Sequence, residues 1–501
     1  MFRALWLSVL SLPLLFSGLA TALEAPAASK LEGIWEGKLK VNAGLELRLA
    51  LKVTRQKDGS LKGTLDSIDQ GAKDMPLDNV SLTEREVAWG FERAKIAYAG
   101  KLNDAGTIID GTFTQGPAKF PLVLKRVEQV SVLDRPQEPK PPFPYQVEEV
   151  TYDNAQAQIK LAGTLTIPQG AGPFPAVVLI SGSGPQDRDE QLLGHRPFLV
   201  LADHLTRQGI AVLRFDDRGV GKSTGTFGTA TSADFLEDVL AGVAFLKTRS
   251  QIDSKKIGLA GHSEGGLIAP MAAVRSSDVA FIVLLAGPGT TGAEVLTAQG
   301  RLIAQRMGAA PNVLDWNEAV QKRAIEAARA EPDNAQAKVK IRAALQEEFA
   351  RLHPDFQKLL IATQPAGAED AAKPDSADKA KTAQERYLDT VASSTDSLLT
   401  PWFRYFIDYD PRPTLAQVKC PVLALIGEKD LQVPSQENLS ELTRALANAG
   451  NRDLTLRELP GLNHLFQTCQ SGLPSEYAQI SETMSPVMLE LVARWINERF
   501  K

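Results

Sequence analysis

Ser263 sits in Gly261-His262-Ser263-Glu264-Gly265, a serine with glycines two residues to either side. A serine hydroxyl is a weak nucleophile at neutral pH, so it needs a general base and a turn that exposes it. The short run Lys256–Ala260 leads in, and the small-residue run Gly266–Ala273 leads out. The pattern predicts a strand, a sharp turn and a helix, with the Ser263 hydroxyl presented at the turn.

Five histidines could supply the base: His195, His204, His262, His353 and His464. Only His464 follows the last expected strand, in Gly461-Leu462-Asn463-His464, before a C-terminal helix. His262 lies inside the turn and is expected to point away from the serine. The base needs an orienting acid. Two carboxylates, Glu428 and Asp430, follow the expected strand Val422–Ile426. Asp430 lies further round the turn and is the expected partner. Acyl transfer also needs hydrogen-bond donors for a developing oxyanion. The backbone N–H groups of Glu264 and Ser183 are the candidates, the latter in the glycine-rich loop Ser181-Gly182-Ser183-Gly184-Pro185. This chemistry requires no metal and no cofactor.

Two other motifs point elsewhere and fail. Gly219-Val220-Gly221-Lys222-Ser223-Thr224 looks like part of a phosphate-binding loop, but Asp216 stands where that motif requires glycine. Gln186-Asp187-Arg188-Asp189-Glu190 has no metal-ligand spacing and reads as a hydrogen-bonded loop near the site.

The elements that must position these residues span most of 501 residues, 44% hydrophobic and 23% charged, an ordinary globular composition. The net charge of −5 argues against nucleic acid or an anionic membrane as partner. Residues 1–22 read as a secretory signal peptide. Arg3 precedes an apolar run, and Ala20-Thr21-Ala22 offers a cleavage site before Leu23. A soluble periplasmic or secreted protein is expected, with no membrane span. Residues 30–127 alternate apolar and polar, as in Leu45 to Val53, and predict seven or eight strands of a small antiparallel β-barrel or sandwich. This domain is either structural or ligand-holding. A proline-rich linker covers 128–145.

From 146 to 501, buried-looking strand runs alternate with helical patterns, which predicts a mostly parallel sheet with helices on both faces. An Ala/Glu/Lys/Arg-rich insertion at about 288–399 is expected to form a helical cap over the site, with Gln364–Lys381 a loop within it. Cys420 and Cys469 should lie at opposite ends of a strand roughly 20 Å long, beyond disulfide reach. Both are expected to be free and buried.

Taken together, these residues resemble the α/β-hydrolase superfamily. Three segments are similar to the EstD-type bacterial carboxylesterases: Ser181–Glu190, Asp217-Arg218-Gly219-Val220-Gly221-Lys222-Ser223 and Gly261–Gly266. Trp402-Phe403-Arg404-Tyr405-Phe406 and Asn463-His464-Leu465-Phe466-Gln467 are similar to that group too. The resemblance covers about 146–501. It implies hydrolysis of short-chain carboxylic esters by Ser263, Asp430 and His464. Where that family carries histidine before the oxyanion glycine, this chain carries Ser181.

Two alternatives stay open at this stage. One is a serine peptidase or aminopeptidase of the prolyl-oligopeptidase type, although no repeat of propeller-blade length is present. The other is a non-catalytic cell-envelope binding protein. A homodimer is also left open. Trp402 and Phe403 fit either a pocket wall or a core.

Overall fold

The computed structural model describes residues 30–42, 45–116, 118–131, 134–362 and 382–501. The expected signal peptide and the Gln364–Lys381 loop lie outside the described residues.

The alternation of Leu49, Leu51 and Val53 with Lys52 and Ala50 builds an antiparallel sheet of nine strands. These are β1 (Gly33–Asn42), β2 (Leu45–Arg55), β3 (Leu61–Ser67), β4 (Ala72–Pro76), β5 (Asn79–Thr83), β6 (Glu86–Phe91), β7 (Ile96–Leu102), β8 (Ile108–Gln115) and β9 (Ala118–Val127). Their order is β4-β3-β2-β1-β9-β8-β7-β6-β5. The sheet curls until its ends approach, so that Val80 of β5 sits beside Gly63 of β3. A Cβ on Gly63 would lie 2.7 Å from Val80 Cγ2, so a side chain there would keep the ends apart. Large side chains fill the interior, including Trp35, Trp89, Tyr98 and Phe113. Trp89 stacks on Tyr98 at 5.1 Å between ring centroids. Strands β4 and β5 are absent from the sequence expectation; both are short, polar edge strands with few buried side chains to mark them.

The segment after β9 is strapped down. The Arg135 guanidinium donates to the carbonyls of Ala478 and Ile480, each at 2.8 Å, and to those of Leu193 and Gly194, each at 3.2 Å. Gln137 accepts the Thr483 N–H at 2.6 Å and donates to the Met484 carbonyl at 2.7 Å.

The second sheet has eight strands: β10 (Tyr145–Asn154), β11 (Ile159–Pro168), β12 (Phe174–Ile180), β13 (Ala211–Phe215), β14 (Ile252–His262), β15 (Phe281–Leu285), β16 (Val422–Gly427) and β17 (Leu454–Leu459). The order is β10-β11-β13-β12-β14-β15-β16-β17. The β10–β11 hairpin pairs antiparallel to β13, and every later pairing is parallel. Central strands such as Phe281-Ile282-Val283-Leu284-Leu285 are buried throughout, because helices cover both faces. One face packs on α1 (Pro197–Arg207) and the C-terminal helix (Pro486–Phe500), through Phe198, Leu201, Val492 and Trp495. The other packs on α2 (Ser232–Lys247), α3 (Gly265–Arg275) and a helix at Ser435–Asn448, through Val239, Val243, Ile268 and Leu442.

The cap lies between β15 and β16. It comprises α4 (Gly292–Arg306), α5 (Pro311–Ala330), α6 (Asn334–Ala350), α7 (Pro354–Ala362), α8 (Ala383–Ser394) and α9 (Pro401–Asp408). Its own core joins Trp316, Phe349, Tyr387 and Phe406. The helical segment therefore runs past residue 399, because the apolar side of α9 is needed to close that core. A four-residue turn, α10 (Arg412–Leu415), leads back to the sheet, where the Ser435–Asn448 helix is α11 and Pro486–Phe500 is α12. Among the described residues no helix is long and apolar enough to cross a membrane. Cys420 and Cys469 are free, but each is only partly buried, because both lie at strand or loop ends. Burial pushes the Cys420 thiol up to about 11.

Candidate active site

Ser263 follows β14 with φ +52°, a left-handed conformation that a non-glycine residue holds only when its surroundings over-determine it. The turn is held by the Ser263 N–H on the Leu285 carbonyl at 2.8 Å and the Gly266 N–H on the Ser263 carbonyl at 2.9 Å. Its glycines are steric necessities. A Cβ on Gly261 would lie 2.0 Å from the Gly265 carbonyl oxygen, and one on Gly265 would lie 2.2 Å from that of Ile180.

His464 lies in the loop after β17. Asn463, fully buried, shapes that loop: its Oδ1 accepts the N–H groups of Leu465 at 3.0 Å and Gln467 at 2.9 Å. His464 Nδ1 lies 2.8 Å from Asp430 Oδ2. Asp430 Oδ1 accepts the N–H groups of Gln432 and Val433, each at 2.8 Å. Both side chains are buried. Glu428 is exposed, and its carboxylate accepts the Gly461 N–H at 2.8 Å instead. Of the two carboxylates in this turn, the structure brings Asp430 to the imidazole.

The Ser181–Pro185 loop faces the turn. The Ser181 hydroxyl donates to Asp217 Oδ1 at 3.0 Å, and the Gly182 N–H donates to Glu190 Oε1 at 2.6 Å. The Ser183 and Glu264 amides have no protein acceptor among the described residues. Both residues line one cavity with Ser263 and His464. The Glu264 side chain is itself buried. Its Oε1 accepts from Ser232 Oγ at 2.6 Å and from the Trp402 indole of α9 at 2.7 Å. Burial raises its carboxyl above the usual range, while the hydrogen bonds from Ser232, Trp402 and Ser183 pull the other way.

Of the remaining histidines, His195, His204 and His353 lie elsewhere, while His262 lines the same cavity without being the base. His195 is fully buried, with Nδ1 3.0 Å from Thr483 Oγ1 and Nε2 2.9 Å from the Tyr477 carbonyl. His204 faces Glu490 at 3.7 Å, and His353 is exposed beside Asp355. His262 is bound to Glu190 and to the His464 carbonyl. The 186–190 segment is internally bonded, with Arg188 clamped to Asp216 at 2.8 Å. Asp216 also accepts the Lys222 N–H at 3.0 Å, so a protein carboxylate occupies the glycine-rich loop where a phosphate would sit in a nucleotide site.

The cavity holds about 580 Å³, within the range of small-molecule sites. Leu192, Phe227, Leu296, Trp402, Phe403 and Leu465 give it an apolar wall. Trp402 and Phe403 thus serve both pocket and cap core. Glu190, Ser232 and Asn463 are not among the expected site residues; Glu190 and Ser232 act through contacts distant in sequence, whereas Asn463 bonds within its own loop.

Residues 196–468, more than half of the chain, match the family model described as "Serine aminopeptidase, S33". The chain belongs to this α/β-hydrolase family. Esterase EstD of Thermotoga maritima is 36% identical over 162 residues, 32% of this chain and 38% of that protein. An uncharacterised 31.7 kDa Escherichia coli protein is 31% identical over 125 residues, 25% of this chain and 41% of that one. The chain thus spans about two fifths of the length of these relatives. Among solved structures, an α/β-hydrolase of Penicillium sp. sh18 has a TM-score of 0.41 at 15% identity, covering 71% of this chain and 99% of that one. An esterase of Pyrococcus furiosus has a TM-score of 0.40 at 16% identity, covering 74% and 100%.

Proposed function

We propose that this S33-family hydrolase is a carboxylesterase acting through Ser263, His464 and Asp430. The observation that carries the reading is the buried Asp430–His464 contact at 2.8 Å, opening on the cavity that holds Ser263 in its strained turn. A carboxylate at Nδ1 keeps the proton there and leaves Nε2 free to act as base. His464 Nε2 takes the Ser263 hydroxyl proton as Oγ attacks the ester carbonyl. The Glu264 and Ser183 N–H groups receive the oxyanion. His464 then gives its proton to the leaving alcohol. Water, deprotonated by His464, cleaves the acyl-enzyme and releases the acid and free Ser263.

Substrates in this reading are neutral esters of short acyl chains with an apolar or aromatic remainder. The cavity wall is largely apolar and aromatic; among the described residues lining it, Glu190 is already paired with His262, and Glu264 is held by Ser232 and Trp402. An anionic ester group would be desolvated there with no unpaired cation among the described lining residues to receive it. We further propose export, with cleavage after Ala22; N-terminal sequencing of exported protein should begin at Leu23.

The test is hydrolysis of p-nitrophenyl esters from acetyl to dodecanoyl by wild type and Ser263→Ala, with aminoacyl-arylamides in parallel. Ester cleavage that peaks at short chains and vanishes in Ser263→Ala supports the proposal. Preferential arylamide cleavage would replace it with a peptidase. A folded wild type that cleaves neither and resists fluorophosphonate labelling would replace it with a binding protein.

A further inference from the structure

A second buried carboxylate–imidazole pair stands beside Asp430–His464. Glu190 Oε1 lies 2.9 Å from His262 Nδ1 and also accepts the Gly182 N–H at 2.6 Å. His262 Nε2 lies 3.0 Å from the His464 carbonyl oxygen. Glu190 is 4% exposed and His262 5%. The two imidazole rings are 4.9 Å apart between centroids.

Hydrogen-bond chemistry defines the protonation of this pair. A carbonyl only accepts, so His262 Nε2 carries a hydrogen. Nδ1 faces the Glu190 carboxylate, whose charge and hydrogen bond favour a hydrogen there as well. His262 is then an imidazolium beside a carboxylate. Burial alone would strip that proton. The Glu190 charge and hydrogen bond, with the His464 carbonyl, outweigh burial and hold His262 above the ordinary imidazole value.

Three parts of the proposed machinery meet on this pair. Gly182 precedes Ser183, His262 precedes Ser263, and the carbonyl belongs to His464 itself. The packing between them is close. A Cβ on Gly182 would lie 3.2 Å from Glu190 Oε1 and 3.3 Å from Ser263 Cβ. Glu190 holds a left-handed φ of +51°, and its Oε2 is buried without a hydrogen-bond partner among the described residues. Strain and an unsatisfied oxygen both cost stability, and native structures retain them mainly where geometry serves function.

We propose that Glu190 and His262 are a positioning pair that sets the spacing of the oxyanion loop, the nucleophile turn and the base. The pair touches no reacting atom; it fixes three loops relative to one another. This rests on the assignment of Ser263 and His464 above. Misplacement of reacting groups by a fraction of an ångström lowers the rate of the chemical step without weakening ground-state binding.

The experiment compares Glu190→Gln, His262→Gln and the double variant with wild type on p-nitrophenyl acetate. Rates are expressed per active site titrated with a fluorophosphonate, so an unfolded fraction does not count. Each single variant should lose about 10- to 100-fold in kcat with KM within about twofold, and the rate of fluorophosphonate labelling should fall in proportion. The double variant should lose no more than the worse single one, because the two residues act as a unit. Retention of kcat within about threefold in Glu190→Gln, or losses that simply multiply in the double variant, would overturn the proposal. Failure of the parent assignment is separable: there Ser263→Ala would itself keep activity.

Discussion

Asp430→Asn should abolish nearly all turnover while leaving the protein folded, and the reason lies in which atoms surround the carboxylate. Oδ1 accepts two backbone N–H groups, from Gln432 and Val433, at 2.8 Å each. An asparagine must keep its only oxygen on that side or leave two buried donors unpaired, at about 1–3 kcal/mol each. Its NH₂ group then points at His464 Nδ1, where Asp430 Oδ2 now lies 2.8 Å away. An NH₂ donor demands an acceptor, so His464 would shift its hydrogen from Nδ1 to Nε2. In that tautomer Nε2 cannot take the Ser263 proton. Loss of the correct tautomer is worth about 10⁴-fold in kcat, or ~5.4 kcal/mol of barrier. The assay is burst kinetics on p-nitrophenyl acetate together with the rate of fluorophosphonate labelling, since both require the base. The control is Glu428→Gln in the same turn, which removes an exposed carboxylate bonded, among the described residues, to the Gly461 N–H. It should keep kcat within about threefold. An Asp430→Asn enzyme within tenfold of wild type, or a Glu428→Gln enzyme as damaged as Asp430→Asn, would refute the reasoning.

Other outcomes follow from the same contacts. His195 should make stability fall in acid. Burial, with the Arg135 charge beside it, holds its pKa down to about 4, against 6.5 when exposed. The unfolded chain therefore takes up a proton below about pH 6.5 that the folded one refuses, and stability declines as pH drops toward 4. The loss is about 2 kcal/mol by pH 5 and about 3 kcal/mol at pH 4. Urea unfolding across that window should show a correspondingly shallower decline in His195→Gln; parallel declines would count against it. Gly182→Ala should cost about 10- to 100-fold in kcat with little change in KM, because the new methyl meets Glu190 and Ser263 Cβ at 3.2 and 3.3 Å. Steady-state kinetics of a folded variant decide it, and an unaltered kcat would show that the loop yields freely. Trp402→Phe deletes the indole donor to Glu264 at 2.7 Å and should destabilise by about 1–2 kcal/mol, with a raised KM for aryl esters. Thermal melts and KM measured side by side would expose the opposite result, an unchanged KM.

Much of this molecule is legible in its sequence. Period-two alternation in Leu45 to Val53 announces the first sheet, because one face of a strand must be dry and the other wet. All-apolar runs such as Phe281–Leu285 announce a sheet covered on both faces. Ser263 is named by its glycine-flanked turn, His464 by its place after the last expected strand and Asp430 by its place in the turn after Val422–Ile426. The close glycine packing around Ser263 is also local: Gly261 and Gly265 nearly touch. Where local pattern is weak, sequence reasoning stops. The polar edge strands β4 and β5 carry too little apolar alternation, and the partial burial of Cys420 and Cys469 depends on which loops fold over strand ends.

Only tertiary structure decided the polar framework of the site. Glu190 and His262 are 72 residues apart, His262 and the His464 carbonyl 202, and Trp402 and Glu264 138. A lone buried glutamate has no periodicity, and its partner is selected by whichever loop the sheet brings within 3 Å. Hydrophobic pattern acts through averaged burial and can be read along the chain. A hydrogen bond acts over a few tenths of an ångström between groups that meet only after the sheet and cap have assembled.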